Sequence, residues 1–327
     1  MIAPSVRFIV ALALFAPAAV SGDQAEYVLI DLTPAADSEM YCEATGVNDR
    51  GEITVVVNSP TAYNGFVWNG KNVVDLPVGS CPTAINDRGQ VVGRFGAGGH
   101  GFIWERGVLT EFGNQGMGGS RAAAVNNRGQ VVGEYTAPSA SQRAFFWSDG
   151  VFTDLGTLPG SIPESSSATA INDRGQIVGW AVSPDQPYNV HAVLWEKGAI
   201  KDLGTLVGPT DPSAATGINS RGQVAGWSRA SSGSPIHACM WDDGVIKDLG
   251  VPGFSRATAI NNSGQIVGTF SVRRPMSGFL WDKGVVTELK GLGGDIVNVY
   301  GVNNRGQVVG SASLPDGRTH AVLWEKR

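Results

Sequence analysis

Residues 168–179 read Ala-Thr-Ala-Ile-Asn-Asp-Arg-Gly-Gln-Ile-Val-Gly, and variants of this stretch return through most of the chain. The central asparagine recurs, at spacings of 38 to 47 residues, as Asn48, Asn86, Asn126, Asn172, Asn219, Asn261 and Asn303. A tryptophan follows each copy, as Trp68, Trp104, Trp147, Trp195, Trp241, Trp281 and Trp324. Periods of this length indicate a solenoid, a propeller or an array of small units.

Each period divides into four short segments, which in the fourth copy cover 168–172, 176–179, 191–195 and 199–203. These runs are rich in Val, Ile and aromatic residues and are bounded by Gly or Asn-Asp, which is typical of strands. The repeats show no sustained helical period. Four strands per copy match one propeller blade. The sequence therefore predicts an all-β, seven-bladed β-propeller with four strands per blade.

The two ends of the chain predict how the ring closes. The last copy stops at Arg327, after its third strand. Residues 27–32, Tyr-Val-Leu-Ile-Asp-Leu, resemble the fourth strands at 151–155 and 245–249. We therefore expect strand 27–32 to complete the last blade, so that 23–327 form a single seven-repeat domain.

Residues 1–22 have the pattern of a secretory signal peptide. Arg7 precedes an apolar run at 8–20, and small residues follow it. As a helix, this run would be about 20 Å long, shorter than the ~30 Å hydrocarbon core of a membrane. We expect cleavage, export to the periplasm or the medium, and no membrane span.

Three motifs carry a family resemblance. Ala-x-x-Ile-Asn-x-x-Gly-Gln-Val-Val-Gly, His-Ala-x-x-Trp and Asp-Leu-Gly-Thr-Leu resemble the bacterial extracellular family called HAF repeats. His191, His237 and His320 precede alanine in the second motif. The resemblance implies export and a repeat architecture, and it brings no catalytic residues with it.

Composition and repeated positions exclude several functions. A net charge of −5 argues against a general nucleic-acid binder. The four histidines occupy one repeat position, in blades that should lie too far apart for a single ion. The acidic residues of the fourth strands also share one position and form no unique pair. The sequence thus predicts no catalytic, cofactor or metal site.

The loops predict where a ligand would bind. Connections between strands one and two, and three and four, are nearly invariant, whereas the others vary. One face of the disc should therefore be uniform and the other variable, and binding residues favour variable loops on a rigid scaffold. The candidate ligand face comprises Glu43, Arg94, Phe95, Arg121, Tyr135, Trp180, Trp227, Arg256 and Asn298. Arginines and aromatics around a concave mouth suit a carbohydrate, peptide or anionic ligand.

The cysteines leave two alternatives open. Cys42 and Cys81 enter the innermost strands of neighbouring blades. An exported protein could join them in a disulfide, or their Cα atoms could exceed the ~7 Å limit and leave two thiols. Cys239 takes a core position that other copies fill with Val or Phe, so we expect a buried thiol.

Three functions fit these observations. The first is a secreted, non-enzymatic, monomeric propeller that binds a carbohydrate, peptide or protein ligand through its variable face. The second is a carbohydrate-active hydrolase or lyase with a site at the axial mouth. The third is a structural surface or matrix protein.

Overall fold

Each copy of the repeat folds into four strands, and two further strands precede the first copy. The computed structural model describes residues 13–14, 27–33, 41–58, 63–113, 118–186, 189–231, 234–273 and 275–327. The predicted signal peptide lies outside the described residues except for 13–14, so its assignment stays a prediction. The two preceding strands are β1 (Ala13–Leu14) and β2 (Tyr27–Asp31).

The first four blades follow in chain order. Blade 1 is β3 (Tyr41–Val47), β4 (Ile53–Asn58), β5 (Tyr63–Trp68) and β6 (Val73–Asp75). Blade 2 is β7 (Ser80–Ile85), β8 (Val91–Phe95), β9 (His100–Glu105) and β10 (Val108–Phe112). Blade 3 is β11 (Ser120–Val125), β12 (Val131–Thr136), β13 (Gln142–Ser148) and β14 (Val151–Asp154). Blade 4 is β15 (Ser166–Ile171), β16 (Ile177–Val182), β17 (Val190–Glu196) and β18 (Ala199–Asp202).

The last three blades complete the ring. Blade 5 is β19 (Ser213–Ile218), β20 (Val224–Arg229), β21 (Ile236–Asp242) and β22 (Val245–Asp248). Blade 6 is β23 (Phe254–Ile260), β24 (Ile266–Ser271), β25 (Ser277–Asp282) and β26 (Val285–Leu289). Blade 7 contains β27 (Val297–Val302), β28 (Val308–Ser313) and β29 (Thr319–Lys326). The chain is thus a seven-bladed antiparallel β-propeller, as its repeats predict.

Blade 7 takes its outer strand from the other end of the chain. Its sheet order is β27, β28, β29, β2 and β1, and Leu29 of β2 lies opposite Trp324 of β29. Leu29 and Leu32 are buried in two different interblade cores. The prediction that the N-terminal strand closes the last blade is confirmed.

A β-bulge in every inner strand explains the threonine of the repeat. In blade 4 the register shifts between Ala168 and Ala170, so Thr169 is the extra residue. Its hydroxyl donates to the carbonyl of Val178 in its own blade (3.0 Å) and of Ala215 in the next (2.9 Å). The opposing glycine, Gly179, is required because a Cβ there would collide with the Ser167 carbonyl oxygen. The bulge therefore joins neighbouring blades.

Apolar side chains fill the space between blades. Strand-three phenylalanines such as Phe102 and Phe279 are completely buried. Of the repeat tryptophans, Trp195, Trp241 and Trp324 are buried, whereas the other four are half-buried. Within the described ranges, no helix is long and apolar enough to cross a membrane.

Candidate functional site

The uniform face is held by a closed ring of asparagine amides. Asn172 Oδ1 accepts the backbone N–H groups of Arg174 (3.0 Å) and Gln176 (3.1 Å), which closes the turn. Its Nδ2 donates to the carbonyl of Asn219 in the next blade (3.0 Å). The same interblade bond joins Asn48 to Asn86, Asn86 to Asn126, Asn126 to Asn172, Asn219 to Asn261, Asn261 to Asn303 and Asn303 to Asn48. The repeat asparagines are therefore structural.

A second belt lies just inside the asparagine ring. The N–H of Asp49 donates to Asp87 Oδ1 (2.7 Å), and the N–H of Asp87 donates to Asn127 Oδ1 (2.9 Å). This belt lines an axial cavity of about 240 Å³ on the uniform face. The carboxylate and amide oxygens at this mouth thus bind the neighbouring turns.

The histidines and the acids of the fourth strands bind each other. Nδ1 lies 2.7 Å from a carboxylate oxygen in His191–Asp202 and in His320–Asp31, and 2.8 Å in His237–Asp248. The hydrogen bond to Asp202 raises the pKa of His191, although burial opposes the shift. In the described residues, no three His, Cys, Asp or Glu side chains converge as metal ligands.

The mouth of the variable face is built by two residues of each blade. One residue lies near the start of the inner strand, and its cross-strand partner lies on strand two, as in the pairs Cys81–Arg94 and Ala214–Trp227. In blades 4 and 5 the inner residues, Ser167 and Ala214, are only 4% and 3% exposed. Their partners, Trp180 and Trp227, are half-buried and cover this side of the mouth.

Arg256 forms the best-defined cationic site at this mouth. Its guanidinium carbon lies 5.1 Å from the centroid of the Trp227 ring and 5.2 Å from that of Phe254. Partial burial lowers the pKa of Arg256. Phe254 is 38% exposed. An arginine in contact with two rings, one of which is open to solvent, can receive an anion and a flat ligand together.

A second cationic site lies at blades 2 and 3. The guanidinium carbon of Arg94 lies 5.8 Å from the centroid of Tyr63, which is 40% exposed. The Arg94 stem lies across Gly99, where an added Cβ would come within 3.2 Å of Arg94 Cδ. Arg94 and Arg121 both act on the Cys81 thiol, whose pKa nevertheless rises because burial dominates. Arg94 and Arg121 belong to the neighbouring blades 2 and 3, so they occupy adjacent positions of the mouth.

Between these sites, Glu43 is bound by two tyrosines. Its carboxylate accepts hydrogen bonds from the hydroxyl of Tyr41 (2.8 Å) and from that of Tyr300, which belongs to blade 7. Burial and the neighbouring carboxylate raise the pKa of both tyrosines. Neither tyrosine is thus prepared to act as a tyrosinate base at neutral pH.

The structure divides the predicted ligand face into two groups. Arg94, Arg121 and Arg256 are exposed at the mouth, and Glu43, Trp180, Trp227 and Asn298 are half-buried there. Tyr135 is instead 6% exposed and donates its hydroxyl to Asp154 (2.9 Å). Phe95 packs edge-on against Phe102 in an interblade core. Successive strand residues face opposite ways, so Phe95 and Tyr135 turn away from the mouth when Arg94 and Glu134 point into it.

Sequence reasoning missed four aromatic residues of this face, Tyr41, Tyr63, Phe254 and Tyr300. Tyr300 takes the bulge position that five other copies fill with threonine, and this departure from the repeat is the signal that could have identified it. Tyr41, Tyr63 and Phe254 are the first residues of their strands, next to the variable loops. If the first residues of the strands had been considered together with the variable loops, these three aromatic residues would have been predicted as part of the ligand face.

Cys42 and Cys81 lie on opposite faces of neighbouring inner strands. Cys42 is completely buried in the core between blades 7 and 1, whereas Cys81 is half-buried at the mouth beside Arg94. The structure contains no disulfide between these two described cysteines and gives no support to the predicted bond. Cys239 is buried, as expected.

Comparisons with known proteins define the class through its fold. No family model matches the chain, and no curated protein matches it. Among solved structures, an acylaminoacyl peptidase of Pyrococcus horikoshii is similar over 88% of this chain, with a TM-score of 0.60 and 14% identity. The match covers 51% of the peptidase, so the chain spans about half its length. This likeness shows the propeller fold alone.

Two further structures are more distant. TolB of Acinetobacter baumannii matches over 84% of this chain and 77% of its own, with a TM-score of 0.45 and 12% identity. AofleA of Arthrobotrys oligospora matches over 77% of this chain and 86% of its own, with a TM-score of 0.44 and 14% identity.

Proposed function

We propose that this propeller is an exported binding scaffold of the HAF-repeat kind, and that its ligand binds at the mouth of the variable face. The observation that carries the proposal is a contrast in side-chain hydrogen bonding between the two faces. On the uniform face, the asparagine amides are used by neighbouring turns. At the variable mouth, the guanidinium groups of Arg94, Arg121 and Arg256 have no hydrogen-bond acceptor among the described residues. In the uniform turns, by contrast, Arg174 donates to Gln176 (3.1 Å) and Arg221 donates to Gln223 (2.6 Å).

The exposed aromatic residues support the same face. Tyr41, Tyr63 and Phe254 are between 38% and 43% exposed, and all three begin strands on the variable side. Large apolar groups left open to solvent mark interaction sites when they cluster with polar neighbours. A structural protein without a ligand would have no need of this combination at one mouth.

A binding screen tests this proposal. The purified chain is applied to a glycan array and a peptide array, together with the variant Arg121→Ala/Arg256→Ala. The variant should lose most of the signal on whichever array binds the wild type. The matched control Arg174→Ala/Arg221→Ala changes two exposed arginines of the uniform turns and should bind normally. Loss of binding in the control alone would assign the site to the uniform face.

Export is tested separately. Expression of the full-length chain with its first 22 residues should yield protein in the periplasm or the medium, shortened at its N-terminus by mass spectrometry. A full-length product confined to the cytoplasm would contradict this part of the proposal.

A further inference from the structure

The two cationic sites of the mouth lie on opposite sides of the ring. Arg94 and Arg121 belong to blades 2 and 3, and Arg256 belongs to blade 6. In a ring of seven blades, blade 6 is three blades away from each of them. Each site combines a guanidinium with an exposed aromatic ring, Tyr63 in the first and Phe254 in the second.

The mouth carries the three guanidinium groups of Arg94, Arg121 and Arg256 against two carboxylates, and those carboxylates are bound by neutral donors. Glu43 accepts from two tyrosine hydroxyls. Glu134 accepts from the hydroxyl of Ser167 (2.7 Å) and from the Gln142 amide. These bonds hold the carboxylates within the wall and leave the arginines for an external anion, although the whole chain carries a net charge of −5.

The groups exposed at the mouth favour sugar rings over peptide side chains. Two cavities of the described chain lie at uniform turns, namely the axial cavity and a groove of about 590 Å³ lined by Arg88, Arg128 and Trp147. The variable mouth instead presents flat aromatic faces beside exposed guanidinium groups. Peptide recognition commonly uses a free sheet edge or an apolar groove, whereas a flat ring can stack on an aromatic face.

We propose that the variable mouth binds an acidic oligosaccharide that spans it, with carboxylates on Arg94 and Arg121 at one side and on Arg256 at the other. This inference rests on the proposed function and adds to it the class of ligand and the two-point attachment. Bidentate arginine–carboxylate pairs would fix the acidic groups, and the exposed rings would support the sugar planes. Attachment at two points favours long chains over short ones.

Isothermal titration calorimetry with defined oligouronates tests the ligand class. The probes are octamers of galacturonate and mannuronate, their neutral methyl esters, and a glutamate octapeptide. At least one acidic octamer should bind about tenfold or more tightly than its ester, with an affinity that falls as salt is added. Equal binding of acid and ester, or tighter binding of the peptide than of either oligouronate, would overturn the inference.

The two-point attachment is tested with the same acidic sugar as a dimer. In the wild type the octamer should bind at least about tenfold more tightly than the dimer. Arg256→Ala, or the double variant Arg94→Ala/Arg121→Ala, should remove that advantage, while Arg174→Ala should retain it. An advantage that survives in both mouth variants would refute the two-point model.

The outcomes separate this inference from the proposed function. If a neutral glycan or a peptide binds and Arg121→Ala/Arg256→Ala weakens that binding, the scaffold proposal stands and the acidic oligosaccharide is wrong. If Arg174→Ala/Arg221→Ala abolishes binding while the mouth variants do not, both proposals fail.

Discussion

The two faces of the disc are built from the same strands but use their polar groups in opposite ways. On the uniform face, Asn172 satisfies two backbone donors of its own turn and a carbonyl of the next blade. On the variable face, Arg256 contacts two aromatic rings and has no carboxylate partner in the described residues. The difference teaches that the residues repeated in every blade join the blades to one another. The residues that depart from the repeat form the surface that is available to a ligand.

Removing the closing strand should have the largest effect on the ring. Deletion of residues 23–32 removes the buried side chains Leu29 and Leu32, each worth about 1.5–3 kcal/mol, and the Asp31 partner of His320. It also leaves the edge of β29 unpaired and prone to aggregation. Calorimetry should show that the cooperative unfolding transition is lost. Size-exclusion chromatography should show that the truncated protein associates. Deletion of 23–26 is the control, and equal melting of the two truncations would mean that closure contributes nothing.

The second-largest effect on stability is expected for the tryptophans at the uniform end of strand three. Trp241 is 2% exposed in the core between blades 4 and 5, so Trp241→Ala should cost about 3–5 kcal/mol in the free energy of unfolding. Trp68 is half-buried, and Trp68→Ala should cost less than half as much. Urea titration measures both. A cost below about 1 kcal/mol for Trp241→Ala would contradict a packing role for the repeat tryptophan position.

The asparagine ring predicts an intermediate effect. Asn172→Ala removes two acceptor bonds and two donor bonds and should cost about 2–4 kcal/mol. Asn172→Asp keeps the acceptor bonds but places a carboxylate oxygen against the Asn219 carbonyl, so it should also destabilise. Arg174→Ala, in the same turn but exposed, should change stability by less than about 0.5 kcal/mol. Chemical denaturation ranks the three variants by their free energy of unfolding. If Asn172→Asp left that free energy unchanged, the interblade hydrogen bond would be dispensable.

The His191–Asp202 pair predicts a small pH effect. The hydrogen bond to Asp202, with a further contribution from Asp185, raises the pKa of His191, so its stabilising effect is full below the ordinary value of 6.5 and fades at higher pH. Burial works against ionisation of Asp202, yet the bond from His191 lowers its pKa, so its contribution fades as the pH falls below 3.8. The pair should thus stabilise between these values, by less than about 1 kcal/mol because Asp202 is partly exposed.

Melting curves check this window. The melting temperature of His191→Gln should change less than that of the wild type between about pH 5 and about pH 8. An identical pH profile for the two proteins would show that the pair contributes no measurable stability.

The smallest effect on stability is expected at the variable mouth. Arg121→Ala/Arg256→Ala should shift the free energy of unfolding by less than about 0.5 kcal/mol, since both guanidinium groups are exposed and lack a carboxylate partner in the described chain. Thermal melting measures this directly. A loss of more than about 2 kcal/mol would mean that these arginines serve the fold, and the contrast between the faces would disappear.

Part of the candidate site could be read from the sequence because it departs from a strong repeat. Arg121, Arg256 and Trp227 were identified in this way, and the structure places them at one mouth. Tyr135 was assigned wrongly because loop position alone does not say which side of a strand a residue faces. The offset of 11 residues between His191 and Asp202 returns in two other blades and could have revealed their pairing.

The sequence by itself determined the architecture, because a motif repeated seven times can bury its apolar residues only against copies of itself. It also determined the closure, since strand 27–32 matches the fourth strand that the last copy lacks. Tertiary structure alone decided the contacts between blades, such as Glu43 with Tyr300, which are 257 residues apart in the chain. Such contacts depend on how the ring brings the ends of distant strands together. No local pattern of residues specifies how close two side chains from distant strands will lie.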